Sequence, residues 1–128
     1  ILDGHIVLDR AIADQGRYPA INPLTSISRL ANLAWTKEEA ELVRRLRTIV
    51  ARYEETRDLR AVGAYKAEAD FELDQAVLLT PILYRFLTQL PDNPPCGSVF
   101  GELAALLSDI RKGPATKEAE GTAVAKRA

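Results

Sequence analysis

Residues 36–55 read TKEEAELVRRLRTIVARYEE, and their pattern is that of one amphipathic helix. Thr36 followed three residues later by Glu39 is a capping box, which marks a helix start. Large apolar side chains then recur every three or four residues, as on one helix face: Leu42, Val43, Leu46, Ile49, Val50 and Tyr53. The pattern therefore predicts a helix from Lys37 to about Glu55, with its arginines facing solvent.

The sequence beyond this helix also favours helices. A short helical stretch spans 57–62 and is closed by Gly63, and a longer apolar stripe runs from Glu72 to Leu90. Pro81 lies inside that stripe and predicts a kink or a division there. Ser98 can cap a last helix.

The first thirty residues have a different character. His5 to Leu8 favours a strand, 10–15 is a short helical stretch stopped by Gly16, and 17–28 contains two prolines and is expected to be a loop. A single short strand has no partner for its backbone hydrogen bonds. We therefore expect this strand to join a sheet whose other strands lie outside the chain.

These patterns divide the chain into three parts. Residues 1–30 are the expected edge of an α/β domain, and residues 31–113 an expected helical bundle that ends at Gly113-Pro114. Residues 114–128 hold no aromatic side chain and only Val124 among the large aliphatic ones, so a disordered tail is expected. The predicted fold class is mainly α, preceded by a short strand, helix and loop.

Composition excludes several classes of protein. With 17 Lys and Arg against 18 Asp and Glu, the net charge is −1, and no basic stripe for nucleic acid is present. The single cysteine, Cys96, cannot form an intramolecular disulfide or a zinc cluster, which fits a reducing cytosolic setting. The 128 residues include no Met, so we expect the chain to be a piece of a longer protein.

The sequence contains no complete set of catalytic residues. His5 is the only imidazole, so no metal site is expected. The phosphate-loop pattern G-x-x-x-x-G-K-[ST] does not occur. The chain by itself is expected to be catalytically inert and to hold no cofactor.

Three motifs in the first thirty residues resemble those of a known protein family: DGHIVLDR at 3–10, GRYPAINPL at 16–24 and SISRL at 26–30. In order and spacing they resemble the end of the nucleotide-binding domain of rotary ATPases, and within them the export ATPases of type III secretion, both injectisome and flagellar. The resemblance extends to about Ile110. It implies a RecA-like domain edge in 1–30 and an F1-type C-terminal helical domain in 31–113.

The resemblance also implies an activity for the parent protein. It would be a homohexameric, Mg-dependent ATP hydrolase that couples hydrolysis to chaperone release and to substrate unfolding and export. Its expected partners are identical subunits, a central coiled-coil stalk protein and chaperone–substrate complexes. Its expected place is the cytoplasmic side of the inner-membrane export apparatus. Asn22, where flagellar relatives tend toward acidic residues, favours the injectisome branch.

Three residues match nucleotide-site positions of that family. Arg29 matches the arginine finger, which acts in trans on the neighbouring subunit's ATP; otherwise it is a surface or helix-start arginine. Tyr18 matches the ring that lies against adenine; otherwise it is a core tyrosine at a loop corner. Phe100 either supplies the helical domain's side of the adenine pocket or packs in the core.

An acidic stretch, KAEADFELD at 66–74, occupies the place of the family's stalk-contacting lever. Its carboxylates, Glu68, Asp70, Glu72 and Asp74, are the implied contacts with a basic coiled-coil stalk. They are otherwise explained as a solvated loop whose charges suit the start of the next helix. The competing hypothesis for the whole chain is a non-catalytic helical protein-interaction module.

Overall fold

The computed structural model describes residues 3–111, with side chains described up to residue 109. The predicted helix end at Gly113 and the predicted tail over 114–128 lie outside these residues. The described chain is mainly helical, as predicted, with two short strands: β1 (Gly4–His5), α1 (Arg10–Asp14), β2 (Ile27–Ser28), α2 (Ala31–Ala34), α3 (Lys37–Glu55), α4 (Arg57–Ala61), α5 (Phe71–Leu87) and α6 (Val99–Arg111). Residues 3–96 belong to one compact unit, and α6 belongs to a second.

The two strands pair with each other. β1 and β2 are antiparallel, with Gly4 opposite Ser28 and His5 opposite Ile27. The prediction that the first strand lacks a partner within the chain was therefore wrong. Its partner lies in the stretch expected to be loop, and a two-residue strand there leaves no periodic pattern for the sequence to display.

Asn22 explains how the chain returns to the first strand. Its side-chain oxygen accepts hydrogen bonds from the backbone N–H groups of Leu24 at 3.0 Å and Thr25 at 3.3 Å, which closes a turn. Its own backbone N–H donates to the carbonyl of Val7 at 2.8 Å. Asn22 thereby holds the second half of the segment against the first.

Side-chain caps and a glycine define the ends of the first helices, and of these the sequence predicted Gly16 and the capping box at Thr36 but not the cap at Asp9. The Asp9 side chain accepts from the N–H of Ala11 at 2.9 Å at the start of α1, and Gly16 follows that helix with φ +71°, a left-handed conformation that suits glycine. At α3, Thr36 and Glu39 form both halves of the capping box, at 2.9 and 3.2 Å. The predicted bounds of α3, Lys37 to Glu55, are confirmed.

The core of the first unit lies where α3 packs against α5. Most of its buried side chains come from the inward faces of the two helices: Leu46 and Val50 from α3, and Ala76, Leu79, Thr80 and Leu83 from α5; Ile12 of α1 and Thr56 are buried as well. The spacing of these residues is helical on both elements. This pair is the scaffold on which the N-terminal segment rests.

α5 differs from its prediction at its end, and of the two outcomes predicted at Pro81 the structure excludes the division. It continues through Pro81 without division and stops at Leu87, not at Leu90. Pro81 lies on the exposed side of the helix, while Leu79 and Leu83 anchor the turns around it in the core. Packing of the turns on both sides therefore compensates for the single backbone donor that the proline lacks.

In the second unit, Ser98 accepts a hydrogen bond from the N–H of Gly101 at 3.3 Å, so it caps α6 as predicted. Within residues 3–111, no helix is both long and apolar enough to cross a membrane.

Candidate functional site

Arg29 follows β2 directly and is held by one residue of the opposite strand end. Its backbone N–H donates to the carbonyl of Asp3 at 2.8 Å, and its Nη1 lies 3.3 Å from Asp3 Oδ1. The Arg29 side chain is 68% exposed. A permanently charged, planar group with five N–H donors is thus presented to solvent at the end of a strand.

The approach of β1 to β2 depends on a glycine. A Cβ at Gly4 would lie 2.7 Å from the carbonyl oxygen of Ile27 and 3.2 Å from the Cα of Ser28. Both neighbours are backbone atoms, which cannot move without shifting the strand. Only glycine lets the two strands meet just before Arg29.

Tyr18 lies at the edge of a cavity between the N-terminal segment and the end of α5. The cavity measures about 340 Å³ and is lined by Ile12, Arg17, Tyr18, Pro19, Ile21, Pro23, Tyr84, Leu87, Thr88 and Gln89. The Tyr18 carbonyl accepts from the N–H of Gln89 at 2.9 Å, which fastens the loop to the end of the helix. With 55% of its surface exposed, Tyr18 is not a core residue, and its ring is accessible to a flat ligand.

An arginine and a tyrosine that the sequence analysis missed form one wall of this cavity. The guanidinium carbon of Arg17 lies 3.8 Å from the centre of the Tyr84 ring, a cation–π contact. The Tyr84 hydroxyl donates to Glu54 of α3. Burial, and secondly the bond to Glu54, raise the pKa of Tyr84. The helical spacing of Thr80, Tyr84 and Leu87 could have placed Tyr84 on this face.

Phe100 is half-buried in the first turns of α6, within the unit that begins at residue 97. Its role beside adenine therefore stays a prediction.

Two of the four predicted carboxylates of the acidic stretch have structural partners. Asp70 caps α5 by accepting from the N–H groups of Glu72 at 3.0 Å and Leu73 at 3.2 Å. It also accepts from Arg52 Nη2 of α3 at 2.8 Å. The hydrogen bond from Arg52, together with the backbone donors, lowers the pKa of Asp70. This carboxylate therefore ties the start of α5 to α3.

Asp74 closes the loop ahead of α5. It accepts from the Tyr65 hydroxyl and from the backbone N–H of Glu68 at 2.8 Å. Glu68 itself has φ +70°, an uncommon conformation for a residue with a side chain. The bond to Asp74 raises the pKa of Tyr65.

The structure thus separates the four carboxylates by position. Asp70 and Asp74 are half-buried and hold the loop, whereas Glu68 and Glu72 are exposed. Phe71, between them, is 74% exposed. The surface open to a partner is therefore Glu68, Phe71 and Glu72, which we call the loop tip.

Among residues 3–111, no group of three His, Cys, Asp or Glu side chains is placed to hold an ion. Arg29 is not among the residues that line the cavity beside Tyr18.

Comparison with known proteins gives two family matches. Residues 35–96 match the T3SS EscN ATPase C-terminal domain, and residues 1–28 match the nucleotide-binding domain of the ATP synthase alpha/beta family. The flagellum-specific ATP synthase of Agrobacterium fabrum is 56% identical over 107 residues, which are 84% of this chain and 23% of that protein. The chain thus spans about a quarter of this relative's length.

Solved structures agree with these matches. The assembled ATPase EscN of the enteropathogenic E. coli type III secretion system superposes with a TM-score of 0.73 at 28% identity, covering 86% of this chain and 26% of that one. EscN in complex with its central stalk EscO gives 0.72 at the same identity and coverage.

The sequence identities help to distinguish the flagellar branch of the family from the injectisome branch. Identity to the flagellar relative is 56%, twice the 28% to EscN, so it favours the flagellar branch. Asn22 had favoured the injectisome branch. In this structure the Asn22 side chain closes a turn.

Proposed function

Because the chain belongs to the type III secretion export ATPases, we propose that it supplies the C-terminal part of a larger, Mg-dependent ATP hydrolase that powers protein export. Residues 1–30 complete a RecA-like nucleotide-binding domain, and 31–113 form the helical C-terminal domain. The parent is a cytoplasmic homohexamer of the flagellar branch, peripheral to the membrane export apparatus, and the chain alone is inactive.

Arg29 carries this proposal as an arginine finger. Its guanidinium is exposed and makes one carboxylate contact, so most of its donors are available to a phosphate. A charge that never titrates can stabilise the negative charge that develops on a transferring γ-phosphoryl group. In a ring of identical subunits, that phosphate belongs to the neighbour's ATP.

Tyr18 would hold adenine from one side. The cavity beside it is mostly apolar and accessible, which fits stacking of a flat base against the phenol ring. ATP brings the transferable phosphoryl group, and the Mg²⁺ ligands would come from residues other than those described here.

The loop tip would dock on a central coiled-coil stalk. Glu68 and Glu72 offer exposed charge to a basic partner, and Phe71 offers apolar surface beside them. Asp70 and Asp74 would then act indirectly, by holding the loop in shape. Chaperone–substrate complexes would be further partners of the helical domain.

Substitution of Arg29 in the full-length protein tests the assignment. Arg29→Ala should lower the ATP turnover rate roughly 10³-fold or more while nucleotide binding stays near normal, because the finger acts in the transition state. Arg10→Ala, which removes an exposed arginine on α1, is the matched control and should hydrolyse ATP normally. Normal turnover by Arg29→Ala would refute the assignment.

One observation favours the competing function, a non-catalytic interaction module. Phe71, Leu78 and Ile82 recur on one exposed face of α5, with 74%, 65% and 37% of their surfaces accessible. An apolar stripe of this kind suits a protein partner. If the full-length protein binds export partners but hydrolyses no ATP, this second function replaces the first.

A further inference from the structure

We propose that Asp3 is a positioning residue for Arg29, holding its guanidinium in the direction from which it meets a phosphate on a neighbouring subunit. The inference rests on the proposed role of Arg29 as an arginine finger. It concerns the residue that orients this finger within its own subunit.

The register of the strands places the two residues face to face. Gly4 lies opposite Ser28 and His5 opposite Ile27, so the next pair along the antiparallel ladder is Asp3 and Arg29. The backbone bond from Arg29 to Asp3 at 2.8 Å extends the ladder to this pair. Opposite charges at directly facing positions attract across a strand pair. Asp3 is therefore in place to act on the Arg29 side chain.

The contact orients the guanidinium without occupying it. Asp3 Oδ1 lies 3.3 Å from Nη1, and the Arg29 and Asp3 side chains are 68% and 78% exposed. A bidentate pair would engage two N–H groups of the fork and compete with a phosphate. A single contact on one nitrogen leaves the others open and still restricts the rotamers of a long, flexible side chain.

The Asp3–Arg29 ion pair is weak, and a weak pair suits a positioning role. Exposed ion pairs contribute little to folding stability, since water screens them. Asp3 is thus not explained as a source of stability for the strand pair, to which the backbone bonds and Gly4 already contribute. Its carboxylate can pair with the Arg29 guanidinium between turnovers. The guanidinium can leave this weak pair when a more highly charged phosphate group comes close enough to bind it.

The test uses the full-length enzyme and measures kcat and KM separately. Asp3→Asn keeps the shape of the side chain and removes its charge. It should lower kcat roughly tenfold with little change in KM for ATP, because a misplaced catalytic group costs rate. Asp3→Ser should give a similar loss, whereas Asp3→Glu, which keeps the charge, should retain most of the rate. Asp14→Asn removes an exposed carboxylate of α1 and should leave kcat unchanged.

A double-mutant cycle separates positioning from a structural role. In the Arg29→Ala background, Asp3→Asn should cause no further loss, because the residue that it orients is gone. A further loss there would assign Asp3 to the fold and overturn the inference.

The two proposals fail in different ways. If Arg29→Ala is inactive while Asp3→Asn turns over at the normal rate, the positioning role is refuted and the finger survives. Normal turnover by Arg29→Ala refutes the finger itself.

Discussion

The guanidinium of Arg17 stacks on the ring of Tyr84, with its central carbon 3.8 Å from the ring centre. Arg17 belongs to the N-terminal segment and Tyr84 to α5, so the contact joins two parts of the chain that are distant in sequence. The Tyr84 hydroxyl extends the connection to Glu54 of α3, and Tyr53 meets the same ring edge-on at 6.2 Å. One side chain thus connects the segment that carries Tyr18 to both long helices.

We predict that Tyr84→Phe destabilises the fold and changes its pH dependence. The substitution leaves the half-buried Glu54 without its donor, which should lower the free energy of unfolding by about 1 to 3 kcal/mol. The pKa of Tyr84 is raised in the folded state above its ordinary value of about 10. Its stabilising contribution is therefore full below pH 10 and is lost as the pH rises beyond that value.

Chemical unfolding at several pH values between 8 and 11 measures both effects. Tyr84→Phe should show a smaller loss of stability above pH 10 than the unmodified chain. Tyr18→Phe removes a hydroxyl from an exposed ring and should leave the stability nearly unchanged. Equal stability of the two variants would contradict the proposed weight of the Tyr84–Glu54 bond.

Gly4→Ala should separate β1 from β2. The added methyl group would lie 2.7 Å from the carbonyl oxygen of Ile27, so the strands must move apart. We expect a loss of about 1 to 3 kcal/mol in the free energy of unfolding, together with lower ATP turnover in the full-length protein because Arg29 is displaced. Gly97→Ala, where the methyl group meets nothing within 4 Å, is the control. An unchanged thermal midpoint for Gly4→Ala would rule out this steric requirement.

The acidic stretch should divide into two classes of variant. Glu68→Gln and Glu72→Gln should leave the thermal midpoint unchanged and weaken binding to a basic coiled-coil stalk about two- to fivefold each at low salt. Asp70→Asn and Asp74→Asn should instead lower the midpoint and speed amide hydrogen exchange at the start of α5. Calorimetric titration with the stalk and thermal unfolding read the two effects separately.

Acid should weaken the hydrogen bonds that Asp70 accepts at the start of α5. The pKa of Asp70 is lowered in the folded state, so its contribution is present above the ordinary carboxyl value and is lost as the pH falls below about 4. In Asp70→Asn this part of the acid sensitivity should disappear.

Stalk binding that is equally strong in all four variants would exclude the loop tip as the docking surface.

Local signals explain which parts of the fold were predictable from sequence. The capping box of Thr36 and the periodic apolar face that follows it lie within one helix, so the bounds of α3 could be derived residue by residue. The Arg29 and Tyr18 positions came from motif resemblance. The pairing of β1 with β2 could not be derived, because two-residue strands carry no period and their register depends on the turn at Asn22.

Contacts between distant residues were equally hidden. Arg17 meets Tyr84 across 67 positions of sequence, and no rule of spacing links them. The four carboxylates of the acidic stretch read alike in sequence. Only their partners, Arg52 for Asp70 and Tyr65 for Asp74, separate the two that hold the loop from the two that face solvent.

The unbroken course of α5 through Pro81 has a mechanical consequence. A helix of 17 residues is about 26 Å long. α5 begins at the loop held by Asp70 and ends near Gln89, whose backbone N–H donates to the Tyr18 carbonyl. Its middle is pinned in the core by Leu79 and Leu83. If α5 tilts slightly about its buried middle, its two ends move in opposite directions. The loop tip at one end and the edge of the Tyr18 cavity at the other would then be displaced together.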